Sequence, residues 1–299
     1  MIRAGAKPDN QGGPLWQSAE QGRIVDEIDF IRLEDLAQIV AGAGRALLSG
    51  ERREGLVLKE DGSPVTAADR FCEAAIAKAL SALAPGLIVI GEESAPADGR
   101  LPDASILALV DPLDGTRAYI DGRDDFCVNL AIVKDGEARI GIIGAPARGA
   151  VYAGSIGAQG ARCWRADVRA DGGVASPTPL ATRIPARKSP IALVSDRHGD
   201  EGSARLLDRL EAFERIALSS ALKFTFLAEG AADLYPRLAP TMVWDTAAGQ
   251  AILAAAGGAT LDASGKALRY PAGGDLRNPG FIAAGDPELC AAAARFAAA

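Results

Sequence analysis

The segment Ile106-Leu-Ala-Leu-Val-Asp-Pro-Leu-Asp-Gly-Thr116 joins an apolar run to two aspartates. The five apolar residues from Ile106 to Val110 predict a strand. Asp111 and Asp114 then lie at its carboxyl end and at the start of the following loop. Because α/β proteins bind ligands at the carboxyl ends of strands, this position makes both aspartates candidate site residues.

The surrounding sequence predicts helices packed on a sheet. Apolar residues at helical spacing predict helices over Ile31 to Leu48 and Ala67 to Leu83, with Asp69 in the opening turn of the second. Four further runs predict short strands, the last three as an antiparallel meander joined by the turns KDG and PARG. These runs are Leu87 to Ile90, Val128 to Val133, Ala138 to Ile143 and Val151 to Ala153.

A change of composition predicts a boundary between two halves. Residues 166–189 are rich in Gly, Pro, Thr and Arg, and a new strand is predicted after them. We therefore expect a flexible extension over 1–25, an α+β metal-binding half over 26–165 and an α/β substrate-binding half over 166–299. The elements predicted in the last half are a strand over Ile191 to Ser195 and helices over Asp200 to Phe213, Ala221 to Leu227 and Thr246 to Ala256.

Composition excludes several classes of protein. The chain has 299 residues and a formal net charge of -7, which argues against broad affinity for nucleic acid polymers or anionic membranes. Its beginning lacks the uninterrupted apolar segment of a signal peptide, and no stretch reaches membrane-spanning length, so a cytoplasmic protein is expected. Four widely spaced cysteines without a CxxC pair predict neither a zinc knuckle nor a disulfide scaffold.

Three acidic clusters follow apolar runs or open helices. They are Gly91-Glu-Glu-Ser94, Asp111-Pro-Leu-Asp-Gly-Thr116 and Trp244-Asp-Thr-Ala-Ala-Gly249. Taken singly, each has an ordinary interpretation, since Glu92 and Glu93 could form a solvated turn, and Asp111 and Asp245 could cap helices.

Together the clusters predict a metal site. Carboxylates that converge repel one another by about 4 kcal/mol per pair at about 4 Å and an effective dielectric near 20, which a phosphate would worsen. Oxygen ligands without His or Cys favour Mg²⁺ or Mn²⁺ over zinc, and one bridging aspartate can hold two ions about 3.5–4 Å apart. One ion would activate water and the other would stabilise the leaving oxygen.

Other phosphatase classes do not fit this sequence. His198 is the only histidine, which excludes His-rich dinuclear sites and histidine phosphatases, and no GxxxxGK[ST] loop is present. Asp111 and Asp114 lack the DxD spacing of haloacid-dehalogenase phosphatases. A C-x5-R pattern runs from Cys163 to Arg169, but it has none of the glycines that a phosphate-binding loop needs.

The three clusters, as GEES, DPxDGT and WDxxAG, resemble the lithium-sensitive, magnesium-dependent phosphomonoesterase superfamily that contains inositol monophosphatase. The resemblance begins near residue 30 and covers nearly all of the remaining chain. Within the superfamily, the chain is most similar to the bacterial 3′(2′),5′-bisphosphate nucleotidases. The segments that carry this similarity are Lys59-Glu-Asp-Gly-Ser-Pro-Val-Thr-Ala-Ala-Asp69, Ser220-Ala-Leu-Lys-Phe224, Ala228-Glu-Gly230, Leu234-Tyr-Pro-Arg237 and Asn278-Pro-Gly-Phe281. The sequence departs from the family where Ser219-Ser-Ala-Leu222 replaces the commoner GSSL.

The resemblance implies magnesium sites that share one aspartate. One ion would be bound by Glu92, Asp111 and the carbonyl of Leu113. A second would be bound by Asp111, Asp114 and Asp245. Glu92 would contact a third ion through water, so two or three ions are expected, with Mn²⁺ as a substitute.

The resemblance also implies how phosphate is attacked. Asp69 and Thr116 would orient and deprotonate the attacking water, with Glu92 as the third catalytic residue. The N–H groups of Gly115 and Thr116 would bind phosphate oxygens, and Asp245 would contact the substrate as well as metal. Direct attack by water implies no covalent phosphoenzyme.

Substrate choice is expected to depend on Ser220, Lys223 and Arg237. These residues match positions where bisphosphate nucleotidases hold the nucleotide, and two cations with a hydroxyl suit the phosphate that is not cleaved. Solvated charges are the alternative interpretation of Lys223 and Arg237. His198 falls where a family histidine approaches the nucleotide, and a surface histidine is its alternative.

The family implies a layered αβαβα sugar-phosphatase fold of α/β class. Its expected reaction is hydrolysis of adenosine 3′,5′-bisphosphate (PAP) to AMP and phosphate, with PAPS to APS as a further reaction, which removes an inhibitory by-product of sulfate assimilation. The alternatives are an inositol monophosphatase or fructose-1,6-bisphosphatase with the same metal ligands, or a phosphate sensor without turnover. Whether the chain forms a homodimer stays open.

Overall fold

The computed structural model describes residues 31–49, 54–58, 64–196, 199–210 and 213–298. The expected extension over 1–25, residues 59–63 of the nucleotidase-like motif and His198 all lie outside these ranges. Within the described ranges the helices are α1 Leu33–Ser49, α2 Ala67–Leu83, α3 Thr116–Ile120, α4 Glu201–Leu210, α5 Leu222–Ala228, α6 Ala247–Ala255 and α7 Pro287–Ala298.

The strands form two larger sheets and two short pairs. Strands β1 to β8 are Val57–Leu58, Pro64–Val65, Ile88–Gly91, Ile106–Asp114, Cys127–Lys134, Glu137–Ala145, Ala150–Gly157 and Gly160–Asp167. Strands β9 to β16 are Thr178–Pro179, Ile191–Ser195, Glu214–Leu218, Leu234–Arg237, Thr241–Met242, Ala259–Asp262, Arg277–Asn278 and Phe281–Ala284.

The first large sheet runs in sequence order from β3 to β9. The pair β3 and β4 is parallel, and β4 to β9 form an antiparallel meander. Side chains of β4 alternate between two cores because successive residues point to opposite faces. Ile106, Ala108 and Val110 pack with α1 and α2, whereas Leu107 and Leu109 face the opposite core.

The second sheet has the order β11-β10-β12-β16-β14 and mixes parallel with antiparallel pairs. One of its faces shares a core with α5, α6 and the first sheet, through residues such as Leu193, Phe224 and Phe281. Its other face packs against α4 and α7, through Leu206 and Cys290. The layers are therefore helix, sheet, helix, sheet, helix, which confirms the predicted αβαβα arrangement.

Small residues bring α6 close to its neighbours. A Cβ on Gly141 would lie 2.1 Å from the Ala248 carbonyl oxygen, so α6 rests almost on the backbone of the first sheet. A Cβ on Gly249 would lie 2.2 Å from the Phe224 ring of α5. Ala248 and Gly249, which end the third acidic motif, thus allow α6 and the residues before it to pack closely against the first sheet.

Most predicted elements are present with small changes at their ends. The predicted bounds of α2 and β10 are confirmed as they stand, and the meander is confirmed with longer strands. The alternative interpretation of Asp111 and Asp245 as helix N-caps does not hold, because Asp111 lies within β4, and Asp245 is the third residue of a 3₁₀ turn over Val243–Asp245. In the described part of the chain, no helix is long and apolar enough to cross a membrane.

Candidate active site

The two aspartates of the first motif lie on β4 itself. The pairing of β4 with β5 is regular up to Asp111 and shifts register before Asp114, which opposes Cys127. This irregularity carries both carboxylates into one cavity at the carboxyl end of the strand. Gly115 follows with a φ of 91°, a conformation that favours glycine, and α3 begins at Thr116.

This cavity, of about 580 Å³, collects nearly all the residues predicted for the site. Its lining includes Glu92, Asp111, Leu113, Asp114, Gly115, Thr116, Ser220, Lys223, Arg237 and Asp245. Asp69 reaches the same place through Thr116, whose hydroxyl lies 3.3 Å from the Asp69 Oδ1. Residues distant in sequence are therefore brought together as the motifs predicted.

Three aspartates of the cavity each accept protein hydrogen bonds through one oxygen. Asp111 accepts the Leu113 N–H at 3.0 Å, and Asp114 accepts the Ala221 N–H at 2.5 Å. Asp245 accepts the Met242 N–H at 3.0 Å and the Thr241 hydroxyl. Among the described residues, the other oxygen of each carboxylate has no hydrogen-bond donor, which leaves it available to a cation.

These side chains fit Mg²⁺ by chemistry, although not yet by position. Hard carboxylate oxygens, with no His among the described lining residues, match the ligand preference of this ion. As they stand, however, no three Asp, Glu, His or Cys side chains of the described residues converge closely enough to hold one ion. The Leu113 carbonyl, whose residue also lines the cavity, and water would complete the ligand set.

Mutual repulsion within the cluster is visible in the pKa values of its acids. Burial raises the pKa of Asp111 well above its usual range, and the neighbouring charges of Glu92, Asp114 and Asp245 raise it further. The pKa of Asp114 is raised to about 6, first by burial and then by Asp245, while the Lys223 charge opposes the rise. A bound cation would relieve this repulsion.

The GEES motif positions Glu92 through an adjacent glycine. A Cβ on Gly91 would lie 2.1 Å from the Glu73 carboxyl carbon, so the glycine leaves room for that carboxylate where it now lies. Glu73 then accepts the Glu93 N–H at 2.8 Å. This contact fixes the turn after β3 that points Glu92 into the cavity.

The predicted catalytic pair is held by a helix cap. Asp69 is 2% exposed, and its Oδ2 accepts hydrogen bonds from the Thr66 N–H at 2.7 Å and the Thr66 hydroxyl at 2.6 Å. This is the reciprocal contact of a capping box at the start of α2. Burial raises the pKa of Asp69, and the Thr66 hydrogen bonds act against that rise. Asp69 Oδ1 is left facing Thr116, whose hydroxyl also lies 3.0 Å from the Leu113 carbonyl oxygen.

Lys223 and Arg237 are the two cationic side chains expected to bind substrate, and Lys223 has more partners within the protein. Its ammonium group is buried, donates to the Leu218 and Ser220 carbonyls at 2.9 and 2.7 Å, and lies 4.9 Å from the centre of the Tyr235 ring. Arg237 donates to the Ser195 hydroxyl at 3.3 Å, while its buried Nε has no hydrogen-bond partner. The interpretation as a solvated charge does not hold for Lys223, which is buried, whereas Arg237 is half-buried in the cavity wall.

Several residues of the site were missed by the sequence analysis. Arg123 forms ion pairs with Asp125 and Asp196, and Asp125 accepts the Ser219 N–H at 2.9 Å. Thr241 donates its hydroxyl to Asp245. Of these residues, only Asp125 could have been suspected from the sequence, because it follows the DPxDGT motif closely. Its neighbour Asp124 is also acidic, however, so the pair is typical of a solvated turn.

Residues 32–298 of the chain match the model of the inositol monophosphatase family. The chain belongs to this family. The resemblance drawn from the three acidic motifs is thereby confirmed. This member of the inositol monophosphatase family is a phosphatase of that superfamily.

Similar proteins include both nucleotidases and inositol monophosphatases. A protein of Salmonella typhimurium named 3′(2′),5′-bisphosphate nucleotidase CysQ is 35% identical over 252 residues, covering 83% of this chain and 98% of that protein. The crystal structure of CysQ from Bacteroides thetaiotaomicron superposes with a TM-score of 0.66 at 28% identity, covering 88% and 97% of the two chains. An inositol monophosphatase from Zymomonas mobilis gives 0.64 at 27% identity, covering 95% and 99%.

Magnesium should stabilise this family member more at neutral than at acidic pH. Because the folded-state pKa of Asp114 is about 6 and lies above its ordinary value of 3.8, its ionisation weakens the folded protein as pH rises through this interval. At about pH 7.5 Mg²⁺ offsets that loss, whereas at about pH 5 it must displace protons. We expect the Mg²⁺-induced rise in Tm to be at least about twofold larger at the higher pH. Thermal unfolding with Mg²⁺ or EDTA measures it, and an equal rise at both pH values would contradict it.

Proposed function

We propose that this phosphatase hydrolyses adenosine 3′,5′-bisphosphate to AMP and phosphate, with the sulfated nucleotide PAPS as a second substrate. The observation that carries the proposal is the cationic wall of the cavity, where Arg237 keeps a buried Nε without a partner. An unsatisfied buried guanidinium N–H is costly, and a phosphate oxygen would satisfy it.

The cavity is lined by groups of both charges. Asp111, Asp114 and Asp245 line it together with Arg237 and Tyr235. A substrate with two phosphates matches this lining, since one phosphate would bind with cations at the carboxylates and the other at Arg237. The similar protein of Salmonella typhimurium is named a 3′(2′),5′-bisphosphate nucleotidase, which supports a nucleotide with two phosphates as the substrate.

Magnesium would be held by Glu92, Asp111, the Leu113 carbonyl, Asp114 and Asp245, all of which line the cavity. When bound, Mg²⁺ supplies charge neutralisation and lowers the pKa of water near the phosphate. The carboxylates keep the ligand set anionic and fixed by their hydrogen bonds to Leu113, Ala221 and Met242.

Proton removal from the attacking water is assigned to Thr116 and Asp69. The Thr116 hydroxyl can accept the water proton while it passes its own proton to Asp69 Oδ1, 3.3 Å away. Asp69 suits this task because burial raises its pKa, which makes it a stronger base than an exposed aspartate. The phosphate oxygens would meet the N–H groups of Gly115 and Thr116 at the start of α3.

A comparison of three substrates tests the proposal. We expect kcat/KM for adenosine 3′,5′-bisphosphate with Mg²⁺ to exceed that for inositol 1-phosphate and fructose 1,6-bisphosphate by at least about tenfold, because in the proposed arrangement Arg237 binds the second phosphate of the nucleotide. Each assay is repeated with lithium and with EDTA. Preference for inositol 1-phosphate or the sugar would assign the chain to the alternative reactions, and release from none would favour a sensor.

Arg237→Met provides the matched variant, since it removes the charge and retains much of the side-chain length. Loss of a charge-assisted hydrogen bond should raise KM for the bisphosphate about 10–100-fold and leave inositol 1-phosphate little changed. Arg277→Met, at an exposed position of β15, is the control. An equal effect on both substrates would remove Arg237 from the specificity role.

A further inference from the structure

The loop from Leu218 to Ala221 holds one acid of the cavity. It joins β11 to α5, and its last N–H, that of Ala221, donates to Asp114 Oδ2 at 2.5 Å. Ser220 within it has a φ of 58°, in the left-handed region that non-glycine residues rarely adopt. A loop with this conformation keeps its shape only if surrounding contacts hold it.

One such contact comes from Asp125, which lies before β5. Its Oδ2 accepts the Ser219 N–H at 2.9 Å, across a separation of 94 residues. Asp125 is 7% exposed, and Arg123 holds it by a two-point contact that includes Nε to Oδ1 at 2.9 Å. A buried carboxylate neutralised in this way is a rigid acceptor.

The second contact comes from Lys223, in the first turn of α5. Its ammonium group bridges the Leu218 and Ser220 carbonyls, the two on either side of Ser219. The N–H of Ser219 and both flanking carbonyls are thus fixed by charged side chains. The loop cannot shift without breaking several charge-assisted hydrogen bonds.

The backbone of Asp125 also supports the turn that carries Asp114. A Cβ on Gly115 would lie 3.2 Å from the Asp125 carbonyl oxygen and 3.3 Å from the Phe126 Cα. The same segment therefore packs beneath the residue that follows Asp114 and hydrogen-bonds the loop that orients the Asp114 carboxylate. Both the backbone and the side chain of Asp114 depend on it.

We propose that Asp125 is a positioning residue for cation binding, with Lys223 as its counterpart. Together they fix the 218–221 loop so that the Ala221 N–H occupies one oxygen of Asp114 and directs the other into the cavity. This inference rests on the proposed role of Asp114 as a magnesium ligand. It gives Lys223 a task on the loop that differs from binding the second phosphate.

Asp125→Asn tests the inference, with Asp124→Asn, an exposed neighbour of the same type, as the matched control. We expect Asp125→Asn to raise the Kd for Mg²⁺ in calorimetric titration by about tenfold, since Asp114 loses its fixed orientation. The Mg²⁺ concentration at half-maximal phosphate release should rise equally for a bisphosphate and a monophosphate. KM for either ester at saturating Mg²⁺ should stay within about twofold.

Two further variants separate this role from general destabilisation. Lys223→Met should show the same loss of Mg²⁺ affinity, and the double variant should lose little more, because both act on one loop. Arg123→Met keeps the Asp125 carboxylate and should give a smaller loss, which serves as the test if Asp125→Asn fails to fold.

Results that would contradict the positioning role of Asp125 differ from those that would contradict the proposed phosphatase reaction. Unchanged Mg²⁺ titration of Asp125→Asn, or of Arg123→Met where the former fails to fold, would overturn the inference. So would a Lys223→Met variant that only raises KM for the bisphosphate, because Lys223 would then bind substrate. If the wild-type chain released no phosphate from any ester, the proposed function would fail, while calorimetric titration with Mg²⁺ alone would still decide the positioning role.

Discussion

Asp111→Asn should lower the rate of phosphate release by about 10³-fold or more at saturating substrate and Mg²⁺. Asp111 is 1% exposed and lies within electrostatic reach of Glu92, Asp114 and Asp245, so it is the acid most surrounded by other acids. The family resemblance implies that two ions would share Asp111. A single change therefore weakens both, and a loss of about 4 kcal/mol in transition-state stabilisation corresponds to the expected factor.

The same variant should fold well, which separates this effect from damage to the structure. The asparagine oxygen can still accept the Leu113 N–H. Removal of one negative charge from the cluster also reduces repulsion, so without Mg²⁺ the Tm of Asp111→Asn at neutral pH should equal or exceed that of the wild-type chain.

Phosphate release and thermal unfolding, each with Mg²⁺ and with EDTA, measure both effects. Asp103→Asn, at an exposed position before β4, is the control and should behave as the wild type. Turnover within about tenfold of wild type would rule out the two-ion arrangement. A large fall in Tm in EDTA would instead mean that the lost turnover reports structural damage.

Much of the fold could be predicted because local patterns agree with the final packing. The apolar run of β4 predicts a strand, and burial of that strand on both faces explains why no polar residue interrupts it. Elements near the end of the chain were missed. Phe281–Ala284 is only four residues long, and the helix Pro287–Ala298 is rich in alanine, whose small side chain gives a weak periodic signal.

The residues of the site likewise fall into those that the sequence could predict and those that it could not. Glu92, Asp111 and Asp245 could be found because each belongs to a short motif of characteristic spacing. Asp125 could not, because its role depends on the Ser219 N–H, which only the folded chain brings to it. Asp114 was expected in a loop and lies instead on β4, since the register shift that carries it into the cavity depends on pairing with β5.

Asp69→Asn should lower kcat by about 10²–10⁴-fold with little change in KM, which is the usual effect of removing a general base. Asparagine can accept the Thr66 N–H, so the helix cap largely persists and Tm should fall by only a few degrees. Thr116→Val should show a similar loss, and the double variant should be little worse than either single one, because the two residues act as one unit.

The pH profile of this pair distinguishes a base from a merely structural acid. Since burial raises the pKa of Asp69, wild-type kcat should fall as pH drops through that raised pKa, where the carboxylate takes up a proton and can no longer accept one. In Asp69→Asn this fall of kcat at low pH, the acidic limb of the profile, should disappear, and the low residual kcat should depend less on pH. Asp286→Asn, at a buried acid outside the cavity lining, serves as the control and should retain the wild-type limb. If Asp69→Asn kept both a wild-type profile and more than about a tenth of wild-type kcat, water activation would have to be assigned to another group.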